Sequence, residues 1–317
     1  MADEVRPCPS CGARKSGAPL NLQGKLNVAG QPMQLVRCLE CGLQFQPDDF
    51  DDDTLARWYG YMGNVPRVFE ISALLERRLQ HQLAPLSAFQ QTGRLLDIGC
   101  GSGALLRVAE KFGWEPYGID VSASCVAALR PWLGERLHEG PLTTTTPFER
   151  RTFDVVVLSE VVEHLTDPAA LLMEARSLLR SGGALWVTTP NRDGLSGRLL
   201  GEDWRVVGDE HLNYYTARTL RLLLERTGYS IRSIWTSGFD PQTVRALLRK
   251  RARPARTAMP ATTALPQAPW PPPFGLLRHS RGARVKALLA SSAYDIINTV
   301  ALTTRLGDGL RAIAIAR

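Results

Sequence analysis

Four groups of side chains in this sequence have the types and spacing that chemistry needs. Cys8 and Cys11 form one C-x-x-C pair and Cys38 and Cys41 a second, each followed directly by glycine, at Gly12 and Gly42. A two-residue spacer lets both sulfurs of a pair turn to one point, so the four thiolates match a closed, structural zinc site. Disulfides or a redox pair are the alternatives, and disulfides are disfavoured in a reducing compartment. The second group opens where the apolar run 95–98, interrupted only by Asp97, passes into Gly99, Cys100, Gly101 and Gly103; a second apolar run then closes on Asp120. Glycines of this kind let backbone approach a ligand, and an acid ending the next strand can accept two ribose hydroxyls, so the pattern implies an adenosine-containing cofactor. The third group is Ser159, Glu160, Glu163 and His164, and the fourth is His211. Glu160-x-x-Glu163-His164 has a plain reading, in which a carboxylate favours a helix N-terminus and the imidazole packs. It also has a functional one, in which two carboxylates and an imidazole, completed by His211, stand at the mouth of a site.

These groups need a scaffold with its strand ends on one side. Residues 94–98, 115–120, 136–139, 153–159, 184–189 and 229–236 are expected as strands. The run 153–159 is almost continuously apolar, as a parallel strand covered on both faces should be. Apolar positions at helical spacing predict a helix over 66–89. Asp167-Pro168 caps another, expected to run to about residue 180 and to stop at Ser181-Gly182-Gly183. Thr216 caps a third that ends at Gly228. Residues 308–317 alternate as a last strand. Two strand-like pieces, 33–37 and 42–45, flank the second cysteine pair.

Glycines spaced G-x-G-x-G after an acid differ from the G-x-G-x-x-G that seats a pyrophosphate in dinucleotide enzymes. The motif resembles the glycine loop of the class I S-adenosylmethionine (SAM) methyltransferases. Further stretches are similar to a bacterial group within that class that carries a four-cysteine ribbon and modifies sugars, glycans or other small natural products. They are Trp58-Tyr59-Gly60-Tyr61, 160–168, Thr189-Pro190-Asn191 and 210–216. The resemblance implies an α/β, Rossmann-like seven-stranded sheet with an N-terminal zinc ribbon and a helical insertion before the last strand. It divides the chain into a ribbon (1–46), a linker and helix (47–92), a SAM-binding core (93–240), an insertion (241–306) and a closing strand (307–317). It places Asp97 near the methionine end of SAM and Asp120 on the ribose. Gly99, Cys100, Gly101, Gly103, Ser159 and Glu160 complete the cofactor site. Tyr59 and Tyr61 either close over the cofactor or are ordinary aromatics, and Trp204 either packs on substrate or in the core. Glu160, Glu163, His164 and His211 also resemble the metal-binding arrangement of small-RNA 2′-O-methyltransferases and ubiquinone-pathway O-methyltransferases, in which Mg²⁺ or another divalent ion acidifies an acceptor hydroxyl. A metal-free site with His211, or else His164, as general base is the alternative.

Bulk properties bound the rest. The 317 residues suffice for a sizeable core, and 44% hydrophobic with 22% charged residues is ordinary for a globular protein. No apolar run reaches the length of a transmembrane helix and the first residues lack a signal-peptide core, so a cytoplasmic location is expected. The net charge of +7 is uneven, with arginines concentrated over 245–256. No aromatics interleave with them, which favours a solvated segment over a nucleic-acid surface. The expected activity is methyl transfer to a small-molecule acceptor, most readily a hydroxyl oxygen. An RNA methyltransferase gripping phosphate through ribbon and arginines is the alternative. The insertion, with a proline-rich run over 254–273 and an apolar helix-like pattern over 284–303, could serve as a lid, as the arm of a homo-oligomer or as a membrane-surface element.

Overall fold

The computed structural model of the chain describes residues 5–51, 54, 71, 73–87, 92–208, 210–240, 243 and 298–317. The Trp58–Tyr61 segment, the 245–256 arginines, the proline-rich run and most of 284–303 lie outside the described residues. Eleven strands are described: β1 (Leu20–Leu26), β2 (Pro32–Arg37), β3 (Gln44–Phe45), β4 (Gly93–Ile98), β5 (Trp114–Asp120), β6 (Leu137–Glu139), β7 (Phe153–Ser159), β8 (Leu179–Pro190), β9 (Asn213–Tyr214), β10 (Tyr229–Ser237) and β11 (Gly309–Ala316). The helices described from end to end are α1 (Ala73–Ser87), α2 (Ala104–Lys111), α3 (Ala123–Leu133), α4 (Pro168–Leu178), α5 (Leu195–Leu200) and α6 (Ala217–Arg226), and residues 298–304 are helical as well.

Seven strands form one sheet in the order β10-β11-β8-β7-β4-β5-β6. Only β11 runs against its neighbours; β4 pairs parallel with both β5 and β7. The chain therefore goes one way from β4 to β5 and the other way to β7. That switch leaves a crevice beyond the carboxyl ends of the strands, the usual ligand position in open α/β sheets.

Alternation along the strands makes two cores. Leu95, Val155, Val157, Ala184 and Trp186 face one side with α2 and α3, while Leu96, Ile98, Val156, Leu158, Leu185 and Val187 face the other with α4 and α6. The second face also buries Cys8, Cys38, Cys41, Leu43 and Phe45. The cysteine ribbon thus packs into the core of the large sheet. It is tied there by backbone as well. A second, four-stranded sheet runs β1-β2-β3-β9, and its last strand is Asn213–Tyr214, from the segment between β8 and β10.

One expectation changes in detail and one open alternative is decided. The helix capped by Asp167 ends at Leu178, and β8 begins at once and runs through Ser181-Gly182-Gly183. The glycines mark a bulge rather than a turn. The β7–β8 register shifts between Phe153 and Val155, Gly182 takes φ 72°, and a Cβ on Gly183 would lie 3.1 Å from the Phe153 carbonyl oxygen. Trp204 is only 2% exposed and packs with Leu22, Met33, Leu35 and Tyr214 in the ribbon's outer core, which settles it as a packing residue.

Because Phe45 is buried in the core shared by ribbon and large sheet, Phe45→Ala is expected to cost about 3–5 kcal/mol. Denaturant unfolding should move as one transition; early release of the ribbon alone would contradict the shared core.

Candidate active site

The glycine turn joins β4 to α2 at the carboxyl edge. Gly99 and Cys100 both donate their N–H to the Ile119 carbonyl, at 2.8 and 3.1 Å, which pins the turn to β5. Gly99 has φ 78°, and a Cβ there would meet Val161 Cγ2 at 2.9 Å, so steric room and backbone both demand glycine. Gly101 has φ 51° and open space where a side chain would stand. Gly103, also left-handed, starts α2.

Asp120 accepts from the Gly101 N–H at 2.6 Å with one oxygen and from the Ser122 N–H at 2.8 Å with the other. The carboxylate therefore shapes the glycine turn as well as edging the crevice. Asp97, one residue before the end of β4, is 3% exposed, and its Oδ1 has no hydrogen-bond partner among the described residues. Burial first, and the Asp120 charge second, push its carboxyl up to about 8. A buried acid without a partner, beside bare backbone, is the chemistry that suits a cationic ligand.

Beyond β7 the chain turns sharply. Glu160 takes φ 55°, a left-handed conformation that non-glycine residues adopt uncommonly and that Arg151 and Arg305 also take here. Its N–H donates to the Thr188 carbonyl at 3.0 Å, and Thr188 Oγ1 donates to Glu160 Oε1 at 2.8 Å; Ser159 Oγ lies 3.1 Å from the same hydroxyl. Glu163 follows in a short 3-10 turn (Val162–His164) and is 1% exposed. Thr189 Oγ1 donates to its Oε2 at 3.0 Å, while Oε1 has no hydrogen-bond partner among the described residues. Burial, reinforced by the nearby Glu160 charge, holds the Glu163 carboxyl well above the ordinary range.

The two histidines meet here. Their ring centroids lie 4.7 Å apart, edge to face. His164 Nδ1 stands 2.6 Å from the Glu210 carbonyl oxygen and His211 Nδ1 2.7 Å from that of Val206, so each Nδ1 carries the proton and donates. Each Nε2 is then the acceptor nitrogen. Burial pushes His164 down to about 4 and His211 down to about 3, so both are neutral at ordinary pH. Glu163, His164 and His211 each offer a ligand atom, all within 4.8 Å of one another. Of the four residues expected together, Glu160 stands outside this trio of ligand atoms: its Oε1 accepts from Thr188, while its carboxyl still interacts with that of Glu163.

The four cysteines converge as their spacing implies. Cys8 and Cys41 sulfurs lie 3.5 Å apart and Cys11 and Cys38 sulfurs 3.6 Å apart, too far for disulfides. Bonds of about 2.3 Å to a tetrahedral ion would set the sulfurs about 3.8 Å apart. The two knuckles match: Gly12 N–H donates to the Cys8 carbonyl and Gly42 N–H to that of Cys38, at 2.8 and 3.0 Å. Four thiols around one point match the full ligand set of a tetrahedral structural ion.

One residue of the site has no signal in the sequence. Arg6 is 6% exposed, and its guanidinium reaches Thr166, two residues beyond His164, and Leu212 and Asn213, beside His211. The Thr188 and Thr189 hydroxyls were equally silent, although Thr189 lies in a recognisable Thr-Pro-Asn stretch.

Parts of the chain are similar to known proteins. A family model described as a methyltransferase domain matches residues 72–234. The ubiquinone biosynthesis O-methyltransferase of Bradyrhizobium sp. (strain ORS 278) is 38% identical over 122 residues, covering 38% of this chain and 46% of that protein. The human mitochondrial ubiquinone biosynthesis O-methyltransferase is 29% identical over 163 residues, covering 47% and 44% respectively. The chain thus spans about half the length of the curated relatives it matches. A SAM-dependent methyltransferase structure from Archaeoglobus fulgidus aligns with 76% of this chain and 94% of its own, at 16% identity and a TM-score of 0.47. With the acid-glycine turn on β4, the acid closing β5 and the family match agreeing over the same residues, the chain belongs to the class I SAM-dependent methyltransferases.

Proposed function

We propose that the chain transfers a methyl group from SAM to a hydroxyl oxygen of a small molecule, a sugar or secondary metabolite being the class in view. The observation that carries the reading is the pairing of two sites on one edge: a cradle suited to a cation at Asp97 and a buried acid–histidine cluster beyond β7. Relatives named as O-methyltransferases support oxygen as the atom methylated.

Asp97, Gly99, Cys100, Gly101, Gly103 and Asp120 would hold the cofactor, with Ser159 and Glu160 at the rim. The partnerless Oδ1 of Asp97 and the open space at Gly101 fit that role. When bound, SAM supplies a methyl made electrophilic by its sulfonium. The chain's own part is alignment: bringing acceptor and methyl into line supplies several kcal/mol through proximity. Glu163, His164 and His211 would hold a divalent ion, Mg²⁺ or another, whose contribution is to acidify the acceptor hydroxyl. Neutral imidazoles with Nδ1 donating to carbonyls are the form metal ligands take. Their depressed basicity makes either a weak general base at neutral pH, so we favour the ion. Cys8, Cys11, Cys38 and Cys41 would hold a structural zinc.

One observation favours a second reading, methylation of RNA. Arg37, Arg192, Arg198 and Arg218 line a cleft of about 720 Å³ beside the second cysteine knuckle. Basic residues thus do stand next to the ribbon. Glu40 and Asp193 line the same cleft and offset them, and Arg192 is engaged by Gln44, Gly197 and Glu202.

The activity is tested with labelled SAM on hydroxyl-bearing small molecules and on RNA, with and without added Mg²⁺. His211→Ala should leave SAM affinity within about twofold and lower turnover by about 100-fold or more; unchanged turnover would remove His211 from the mechanism. RNA as the better acceptor, bound with a steep salt dependence, would replace the small-molecule reading.

Binding of SAM should also be linked to pH. A cation favours ionised Asp97, whose carboxyl stands at about 8 in the free protein. Affinity should therefore rise as pH rises from 6 to 8, by up to about tenfold per unit, and level off above, with a proton released on binding below pH 8. Calorimetry in buffers of different ionisation enthalpy reads this directly, and Asp97→Asn should weaken binding and flatten the profile. Elemental analysis of the purified protein should return about one zinc per chain, lost in Cys41→Ser.

A further inference from the structure

We propose that Arg6 is a positioning residue for the methyl-transfer site, fixing the segment that carries His164 against the segment that carries His211. The inference rests on the reading that these histidines face the reacting groups. It is drawn from how many separate pieces of chain one guanidinium joins. Nη1 donates to the Thr166 carbonyl at 2.7 Å, Nη2 to Asn213 Oδ1 at 2.9 Å and to the Leu212 carbonyl at 3.3 Å, and Nε to the Gln46 carbonyl at 2.9 Å. The ring of Phe45 lies 5.2 Å from the guanidinium carbon. Among the described residues Arg6 makes no ion pair.

Each acceptor leads back to the site. Thr166 ends the turn that begins at Glu160. Asn213 Nδ2 donates to the carbonyls of Val162 and Leu165, at 3.1 and 2.8 Å, so the contact on Oδ1 fixes which way the amide faces. The Leu212 N–H donates to the Glu163 carbonyl at 2.7 Å. Gln46, held through its own carbonyl, donates Nε2 to the His211 carbonyl at 3.0 Å. Arg6 therefore reaches both sides of the histidine pair, directly and through Asn213 and Gln46, without touching either ring. It sits two residues before Cys8, so the cysteine ribbon is what delivers it.

The role needs a planar fork. The acceptors lie in three directions, which one guanidinium can serve at once and a lysine ammonium on a flexible stem cannot. Substitution should leave the glycine turn and Asp97 unaffected, since Arg6 contacts neither.

The test is Arg6→Lys in the full chain, with nitrogen-labelled histidine spectra at neutral pH as the readout. The chain has five histidines, so single substitutions suffice to assign them. In the wild type His164 and His211 should show the Nδ1-protonated tautomer. In Arg6→Lys their signals should shift or show mixed tautomers, while those of His81 and His138 stay in place. Turnover should fall by about tenfold or more, with SAM affinity within about twofold. A folded Arg6→Lys protein with unchanged His164 and His211 signals overturns the proposal, as does unchanged turnover alongside shifted signals. If Arg6→Lys does not fold, Arg6→Gln is read in the same way; failure of both to fold makes Arg6 a residue of stability alone and also overturns it. A wild type that binds no SAM would instead sink the methyl-transfer reading, which the spectra do not depend on.

Discussion

A buried positive charge with no ion pair among the described residues sits where the two sheets meet. Removing a guanidinium from water costs several kcal/mol, which here lowers Arg6 to about 10. Its position is tolerable because four oxygens from three chain segments and one aromatic face replace the lost water. Those oxygens must all be present together, so the ribbon's first knuckle, the end of β3, the turn after β7 and the strand β9 have to assemble as a set. The small sheet then buries its cysteines and Phe45 against the face already covered by α4 and α6, and the two sheets share one apolar interior.

The same economy governs the other end of the crevice. Asp97 and Asp120 are both largely buried and repel each other, yet they differ in their surroundings. Asp120 accepts from two backbone N–H groups, which stabilise its charge. Asp97 has an oxygen with no partner and carries the raised affinity for a proton. One acid therefore belongs to the architecture of the turn, while the other keeps an oxygen without a hydrogen bond among the described residues. Across the crevice Glu163 repeats the pattern, with one oxygen held by Thr189 and one left over.

Much of this was legible in the residues. Apolar runs such as 153–159 specify buried strands because both faces are covered, and the acid-glycine turn is a local device whose geometry is written in consecutive positions. The four cysteines are equally local, two knuckles each closed by its own glycine. What could not be read is whatever depends on distant pairing. Nothing in Asn213-Tyr214 announces that it completes the ribbon's sheet, since a two-residue strand has no periodicity. Arg6 looks like any charged residue near a terminus, and its burial follows only from where β3 and β9 bring their carbonyls. Ser181-Gly182-Gly183 misled for a related reason: glycines permit a tight turn or a bulge alike, and the register of β7 against β8 decides between them. Spacing groups Glu160 with Glu163 and their carboxyls do interact, but Glu160 Oε1 accepts from Thr188 and Glu160 does not join Glu163, His164 and His211.

The placement of β11 between β8 and β10 has an evolutionary corollary. Ser237 at the end of β10 pairs with Gly309 at the start of β11, and Gly309 pairs with Pro190, so the long connection leaves and rejoins the sheet at the carboxyl ends of β10 and β8. Its two anchors are already stapled together: Thr236 Oγ1 donates to the Ala301 carbonyl, and the Gly238 N–H to Asn298 Oδ1. With closure secured at the base, doubling the intervening length adds only about 0.6 kcal/mol of entropy. Descendants of this scaffold can therefore lengthen or shorten that stretch at little cost while the paired strands keep their register.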